Sequence, residues 1–143
     1  MRKFIAVGAL AALGVAMLAV PASASFDHHF SVLSRTTSSH RDGNVFRFKD
    51  RLLDPRNPRN RVGRDRGRCI IKPHAEKVRC RAVAHLNGEI GGFGDIRVSG
   101  DLGRHDERLN VTGGTDDFNA VGGKCLVHSL NRRTDRLHFD LVR

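Results

Sequence analysis

The chain has 143 residues, 25 Lys and Arg against 15 Asp and Glu for a formal net charge of +10, 8 Phe, 3 Cys, and neither Trp nor Tyr. That length suits one compact domain, and the missing Trp and Tyr remove the usual aromatic platforms for sugars or bases. No phosphate-binding glycine loop, zinc-finger spacing or serine-nucleophile elbow is present, so the chemistry that needs them is set aside.

The first 24 residues read as a secretory signal peptide. Arg2 and Lys3 form a basic start, Phe4 to Val20 an apolar run, and Ala22-Ser23-Ala24 a small-residue cleavage site. An uncleaved membrane anchor is the competing reading of the same run, and Pro21 before Ala-Ser-Ala favours cleavage. The expectation is an exported, extracellular protein whose mature domain is 25–143, partly flexible over 25–43, with no later membrane span. It keeps 23 basic and 15 acidic residues.

In chain order, Phe26 to Arg35 is the first predicted strand, with Phe30 and Val32 on one side and His28 in phase with them. Val45 to Leu52 alternates with period two: Phe46, Phe48, Asp50 and Leu52 face one way, Arg47, Lys49 and Arg51 the other. After a loop around Pro55-Arg-Asn-Pro58, Arg64 to Ile71 places Asp65, Gly67, Cys69 and Ile71 opposite Arg64, Arg66 and Arg68. Lys77 to Leu86 gathers Val78, Cys80, Ala82, Ala84 and Leu86 against Arg79, Arg81 and His85. Asp95 to Gly100 and Arg108 to Thr112 supply two more strands, and Leu126 to Leu130 and Leu137 to Val142 close the series. Ten of the fifteen glycines lie between Gly88 and Gly123, where they separate short β-branched runs, a mark of tight antiparallel connections.

About eight short strands in one domain fit an all-β fold, a small eight-stranded antiparallel barrel or a sandwich. A lipocalin-like barrel would need longer strands and a terminal helix, and no segment carries a helical stripe. If the third and fourth strands form a hairpin around Pro73-His-Ala-Glu76, Cys69 falls opposite Cys80, Ile71 opposite Val78 and Gly67 opposite Ala82. A Cys69–Cys80 disulfide suits an oxidising compartment; Cys80–Cys125 is the alternative pairing.

Four segments resemble the allene oxide cyclase and dirigent barrel superfamily. Phe48-Lys-Asp-Arg-Leu52 is similar to the cyclase Phe-Thr-Asn-Lys-Leu and the dirigent Phe-Asp-Asp-Pro-Leu. Arg61-Val-Gly-Arg-Asp-Arg-Gly-Arg-Cys-Ile-Ile71 resembles the cyclase Arg-Val-Gly-Ile-Thr-Ala-Gly-Ile-Cys-Val-Leu. Gly94-Asp-Ile-Arg-Val-Ser-Gly100 follows, and then Gly113-Gly-Thr-Asp-Asp-Phe118, in order and at appropriate spacing. The resemblance, specifically to a bacterial secreted member, implies an eight-stranded barrel with an apolar cavity, often trimeric. It implies an activity that holds a reactive molecule in one conformation during cyclisation or coupling. It places Asp50 at the cyclase pocket Asn and Cys69 at a cavity-lining cysteine. The cyclase first-strand glutamate has no counterpart in Phe30 to Thr37, and both arginines of the dirigent Phe-Arg-x-Ala-Arg-Gly pattern are missing from Phe118-Asn-Ala-Val-Gly-Gly123. Isomerase, cyclase-like or dirigent-like turnover is thus left open.

Asp50 and Asp65 are the candidate catalytic pair, since inward carboxylates on adjacent strands serve acid/base or hydrogen-bonding work. The competing reading is a structural ion pair with an inward arginine, or a strand end where Asp65 meets solvent. Phe46, Phe48, Cys69, Ile71, Ala82 and Ala84 are the candidate cavity lining, with core filling as the ordinary alternative. His28, His29, His40, Asp27 and Asp42 lack the spacing of a known metal site, and no cofactor or metal is expected. Asp116-Asp117 fits a turn, and Asn110-Val-Thr112 is a glycosylation sequon in a predicted strand. The expected partner is a small hydrophobic molecule, without specific nucleic acid. The alternative is a non-enzymatic basic protein whose outer arginines hold acidic polymers or the cell surface.

Overall fold

The structure, a computed structural model, describes residues 29–74, 76–103 and 107–143. The expected signal peptide, with Asp27 and His28, lies outside the described residues. Eight strands run β1 (His29–Asp42), β2 (Val45–Leu53), β3 (Arg61–Ile71), β4 (Val78–Asn87), β5 (Phe93–Leu102), β6 (Arg108–Gly114), β7 (Gly122–Asn131) and β8 (Thr134–Val142). Every neighbouring pair is antiparallel and β1 also pairs with β8, so the sheet closes on itself as a barrel in simple chain order. Closure removes the free edges that an open sheet of this size would expose.

The period-two faces of β2, β3 and β4 stand as the sequence arranges them. Gly67 pairs with Ala82, Cys69 with Cys80 and Ile71 with Val78, and a disulfide joins Cys69 to Cys80. Cys125 is a buried free thiol. The alternative Cys80–Cys125 bond is not formed, since the Cys80 sulfur is bonded to Cys69.

Strand β1 departs from expectation: it continues past Arg35 to Asp42 and pairs with β2 as far as Asp42 opposite Val45. Its second half, Thr36 to Asp42, is polar on both faces, so period-two alternation of hydrophobic residues is invisible there. A two-residue turn opened by Gly43 at φ +55° holds this extension in backbone register. A bulge between Thr36 and Ser38 then turns Ser38 outward beside Lys49.

The interior has two layers. At one end Val32, Leu52, Val62, Leu86, Ile96, Phe118, Phe139 and Leu141 form a solid apolar plug. The Gly-Gly-Thr segment builds it: a short 3₁₀ turn, Asp116–Phe118, folds Phe118 back over Gly114. A β-carbon on Gly114 would stand 2.4 Å from the Asp95 carbonyl and 2.6 Å from the Phe118 β-carbon, which is why glycine is required there. Phe118 then meets Phe30 at 6.2 Å between ring centroids, and Phe30 stacks on Phe139 at 5.0 Å. The other layer, toward the Cys69–Cys80 end, is not filled.

Candidate functional site

The unfilled layer is a cavity of about 210 Å³ inside the barrel. Phe46, Phe48, Cys69, Ala82 and Ala84 line it, as do Asp50 and Asp65. Ile71, offered with them from its phase on β3, is half-buried at the strand end opposite Val78 and is not part of this lining. The phase of a residue says which face it takes, not how far along the barrel axis the cavity reaches.

The cavity exists because small residues meet there. On β4, Ala82 and Ala84 occupy inward positions that a Leu or Phe would fill. Phe46 and Phe48, stacked with centroids 6.2 Å apart, cover part of the space. The tip of Phe48 sits where a Gly67 side chain would begin, 2.5 Å from an ideal β-carbon.

Asp50 and Asp65 are directly opposite each other in the β2–β3 register, and both are buried, with 9% and 7% of their surface exposed. Ser34 Oγ donates to Asp50 Oδ2 at 2.7 Å. Oδ1 of each aspartate is buried without a hydrogen-bond partner. No inward arginine meets either of them among the described ion pairs. Two buried carboxyl groups without a cation cannot both stay ionised cheaply. Burial pushes Asp65 up to about 7, and the neighbouring Asp50 charge adds to the rise against a hydrogen bond from the Arg66 backbone. Burial also raises Asp50, opposed by hydrogen bonds from Ser34 and Thr36, with the Asp135 charge adding a little. The two titrate as a coupled pair in which Asp65 keeps the proton. Near neutral pH such a pair holds both a proton donor and a proton acceptor in one apolar space.

Several cavity residues escaped the sequence reading, among them Leu102, Val127, the thiol Cys125 and the polar Ser34, Thr36 and Asp135. Ser34 and Thr36 continue the Phe30–Val32 phase, and Asp135 continues the phase of Leu137, Phe139 and Leu141. The signal was therefore present as extended alternation, hidden by its polar members. Burial, with a smaller push from the Asp65 charge, takes the Cys125 thiol up to about 12. It is a neutral wall of the cavity and not a nucleophile.

The weaker candidates have ordinary roles. His29 Nδ1 lies 3.1 Å from Asp140, and His40 stands on the outer face opposite Arg47. Asp117 accepts from the Phe93 backbone N–H at 2.8 Å, and Asp116 accepts from Thr115 Oγ at 2.8 Å, which pins the Gly-rich turn. Asn110 accepts a hydrogen bond from Lys124 on β7. Among the described residues no three His, Cys, Asp or Glu side chains converge where they could hold a metal ion.

No family model and no curated protein sequence matches this chain. Solved structures do. A pyocyanin demethylase superposes with a TM-score of 0.62 at 19% identity, over 80% of this chain and 99% of its own. Two pterocarpan synthase dirigent proteins follow, with TM-scores of 0.58 and 0.56 at 11% and 12% identity. They cover 85% and 79% of this chain and 91% of each of theirs. The barrel is thus a dirigent-like fold.

Proposed function

We propose that this protein is an exported barrel, similar to allene oxide cyclases and dirigent proteins, that binds a small hydrophobic molecule in its interior and directs its cyclisation or coupling. The observation that carries this reading is the pair Asp50 and Asp65, opposed across β2 and β3 inside an apolar-walled cavity, each with a buried oxygen that nothing in the protein satisfies. Buried polar atoms without partners are rare in folded proteins; a ligand hydroxyl would donate to the Asp50 carboxylate, and a ligand carbonyl or hydroxyl oxygen would accept from protonated Asp65. The disulfide is consistent with an oxidising compartment.

The cavity narrows the ligand class. At about 210 Å³ it is smaller than the roughly 300 Å³ at which pockets for drug-sized ligands begin, which favours a molecule of one or two rings over a long acyl chain. A pyocyanin demethylase and pterocarpan synthase dirigent proteins share the fold, so the fold does not choose the reaction. The carboxyl pair supports proton-coupled ring closure without any co-reactant. Asp65 passes its proton to a ligand oxygen as the ring-forming bond develops, and the Asp50 carboxylate takes a proton from the ligand. The pair ends with one proton, as it began, now on Asp50. Enclosure limits the ligand's conformers and keeps water away from reactive intermediates. The homotrimer implied by the resemblance belongs to the same proposal.

The test is uptake of 2-naphthol, a neutral two-ring phenol whose emission reports its surroundings, by the purified protein and by Ala82→Leu. The substitution adds a branched side chain to the cavity wall, and circular dichroism checks that the variant folds. Uptake by the parent and its loss in Ala82→Leu support the reading. Equal uptake by both, or none by the parent, overturns it. Native mass spectrometry of the same samples reads any co-purifying ligand and the subunit number.

A further inference from the structure

The outer face of β2 to β5 carries a second, chemically opposite surface. Arg47, Arg68 and Arg81 stand directly opposite one another on three adjacent strands. One step along, Lys49 is opposite Arg66, which is opposite Val83, which is opposite Arg97. All six cations are exposed, and they border one shallow depression of about 880 Å³ on the barrel wall. No carboxylate lines it. Among the described residues none of the six has an ion-pair partner, whereas nearby Arg79 on the same face of β4 does, meeting Asp101 at 2.8 and 3.2 Å.

Like charges directly opposite each other on neighbouring strands destabilise a sheet. Here two adjacent cross-strand rows repeat the arrangement. Strands lie about 4.8 Å apart and residues i and i+2 about 6.8 Å apart, so the guanidinium groups form a grid on which several oxyanions can be held at once. Five of the six cations are arginine, whose planar fork pairs carboxylate, sulfate or phosphate through two hydrogen bonds.

We infer that this outer face binds a linear acidic polysaccharide, one bearing sulfate or uronate groups at successive sugar units. A second copy of the same face carries the same sign and repels it. A planar anionic membrane is a poorer occupant, because the depression is concave and Val83 is the one outward aliphatic residue in its wall. Single-stranded nucleic acid is poorer as well: the chain has neither Trp nor Tyr, and the aromatic rings at the depression are His40 and Phe48, the latter an inward residue that covers the cavity. The hydroxyls of Ser38, Ser99 and Thr112 at its border suit sugar oxygens. The six cations lie on the outer face, and Phe48, Ala82 and Val98 form a wall shared by this depression and the barrel cavity.

The experiment measures the affinity of the purified protein for heparin, a sulfated and uronate-bearing polysaccharide, across a salt series. It compares the double variant R68Q/R81Q with R56Q/R59Q, which loses the same charge from the loop between β2 and β3. Parent and loop variant should bind alike, and R68Q/R81Q about tenfold more weakly, with a salt slope shallower by about one to two. Because R68Q/R81Q also relieves opposed like charges, its melting temperature should hold or rise, which separates lost contact from lost fold. The inference is overturned if both variants weaken equally, if neither does, or if oligothymidylate or phosphatidylserine vesicles bind more tightly than heparin.

Discussion

Asp65 faces Asp50 across the β2–β3 ladder, two carboxyl groups in one register pair, both buried and neither matched by a cation. Between two strands whose other faces carry arginines, this is a costly arrangement. It is tolerated because one member keeps its proton and the other is held by Ser34.

Stability should therefore fall as pH rises. The folded pKa of Asp65 is raised to about 7 from 3.8, so the folded chain binds more protons than the unfolded one between those values. The slope of stability against pH is negative there. The favourable contribution is complete below about pH 4 and lost through pH 7, on the order of 4 kcal/mol in all. Asp65→Asn mimics the protonated acid. Its melting temperature should match the parent near pH 4 and exceed it at pH 8, and parallel curves for the two proteins would refute the assignment.

The Cys69–Cys80 bond closes a short loop, with a sequence separation of 11. In the chain-entropy account that loop length contributes about 2–3 kcal/mol. The double variant C69A/C80A should still fold and should lose about that much in urea denaturation, with the midpoint moving and the slope barely changing. A loss well beyond this would mean that the two sulfurs also hold the cavity wall in place.

Cys125 gives a reading of cavity closure. With 1% of its surface exposed and a pKa pushed up to about 12, it has neither access nor thiolate at pH 8. Iodoacetamide should leave the native protein unmodified over hours and add a single label once the non-reduced chain is unfolded in guanidinium, as read by intact mass. Rapid labelling of the native protein would show that the cavity opens on that timescale.

Much of the architecture was legible in the residues because a half-buried strand writes its orientation with period two. Phe46-x-Phe48-x-Asp50-x-Leu52 and Asp65-x-Gly67-x-Cys69 declare their inner faces, and a hairpin count sets Cys69 opposite Cys80, while the choice between that bond and Cys80–Cys125 came from the structure. Where a strand is polar on both sides, as in Thr36 to Asp42, alternation carries no signal, and the length of β1 emerged only from its pairing with β2.

What the sequence determined by itself was local: which side chains share a face, where turns interrupt the strands, and that Asp50 and Asp65 point the same way as their apolar neighbours. Closure of β8 onto β1 decided the rest. It set how deep the Phe118 plug reaches, left a space beside Ala82 and Ala84, and brought Ser34, Asp135 and Cys125 to its wall. Those depend on distances between strands far apart in the chain, and side-chain phase carries no information about separation across a barrel.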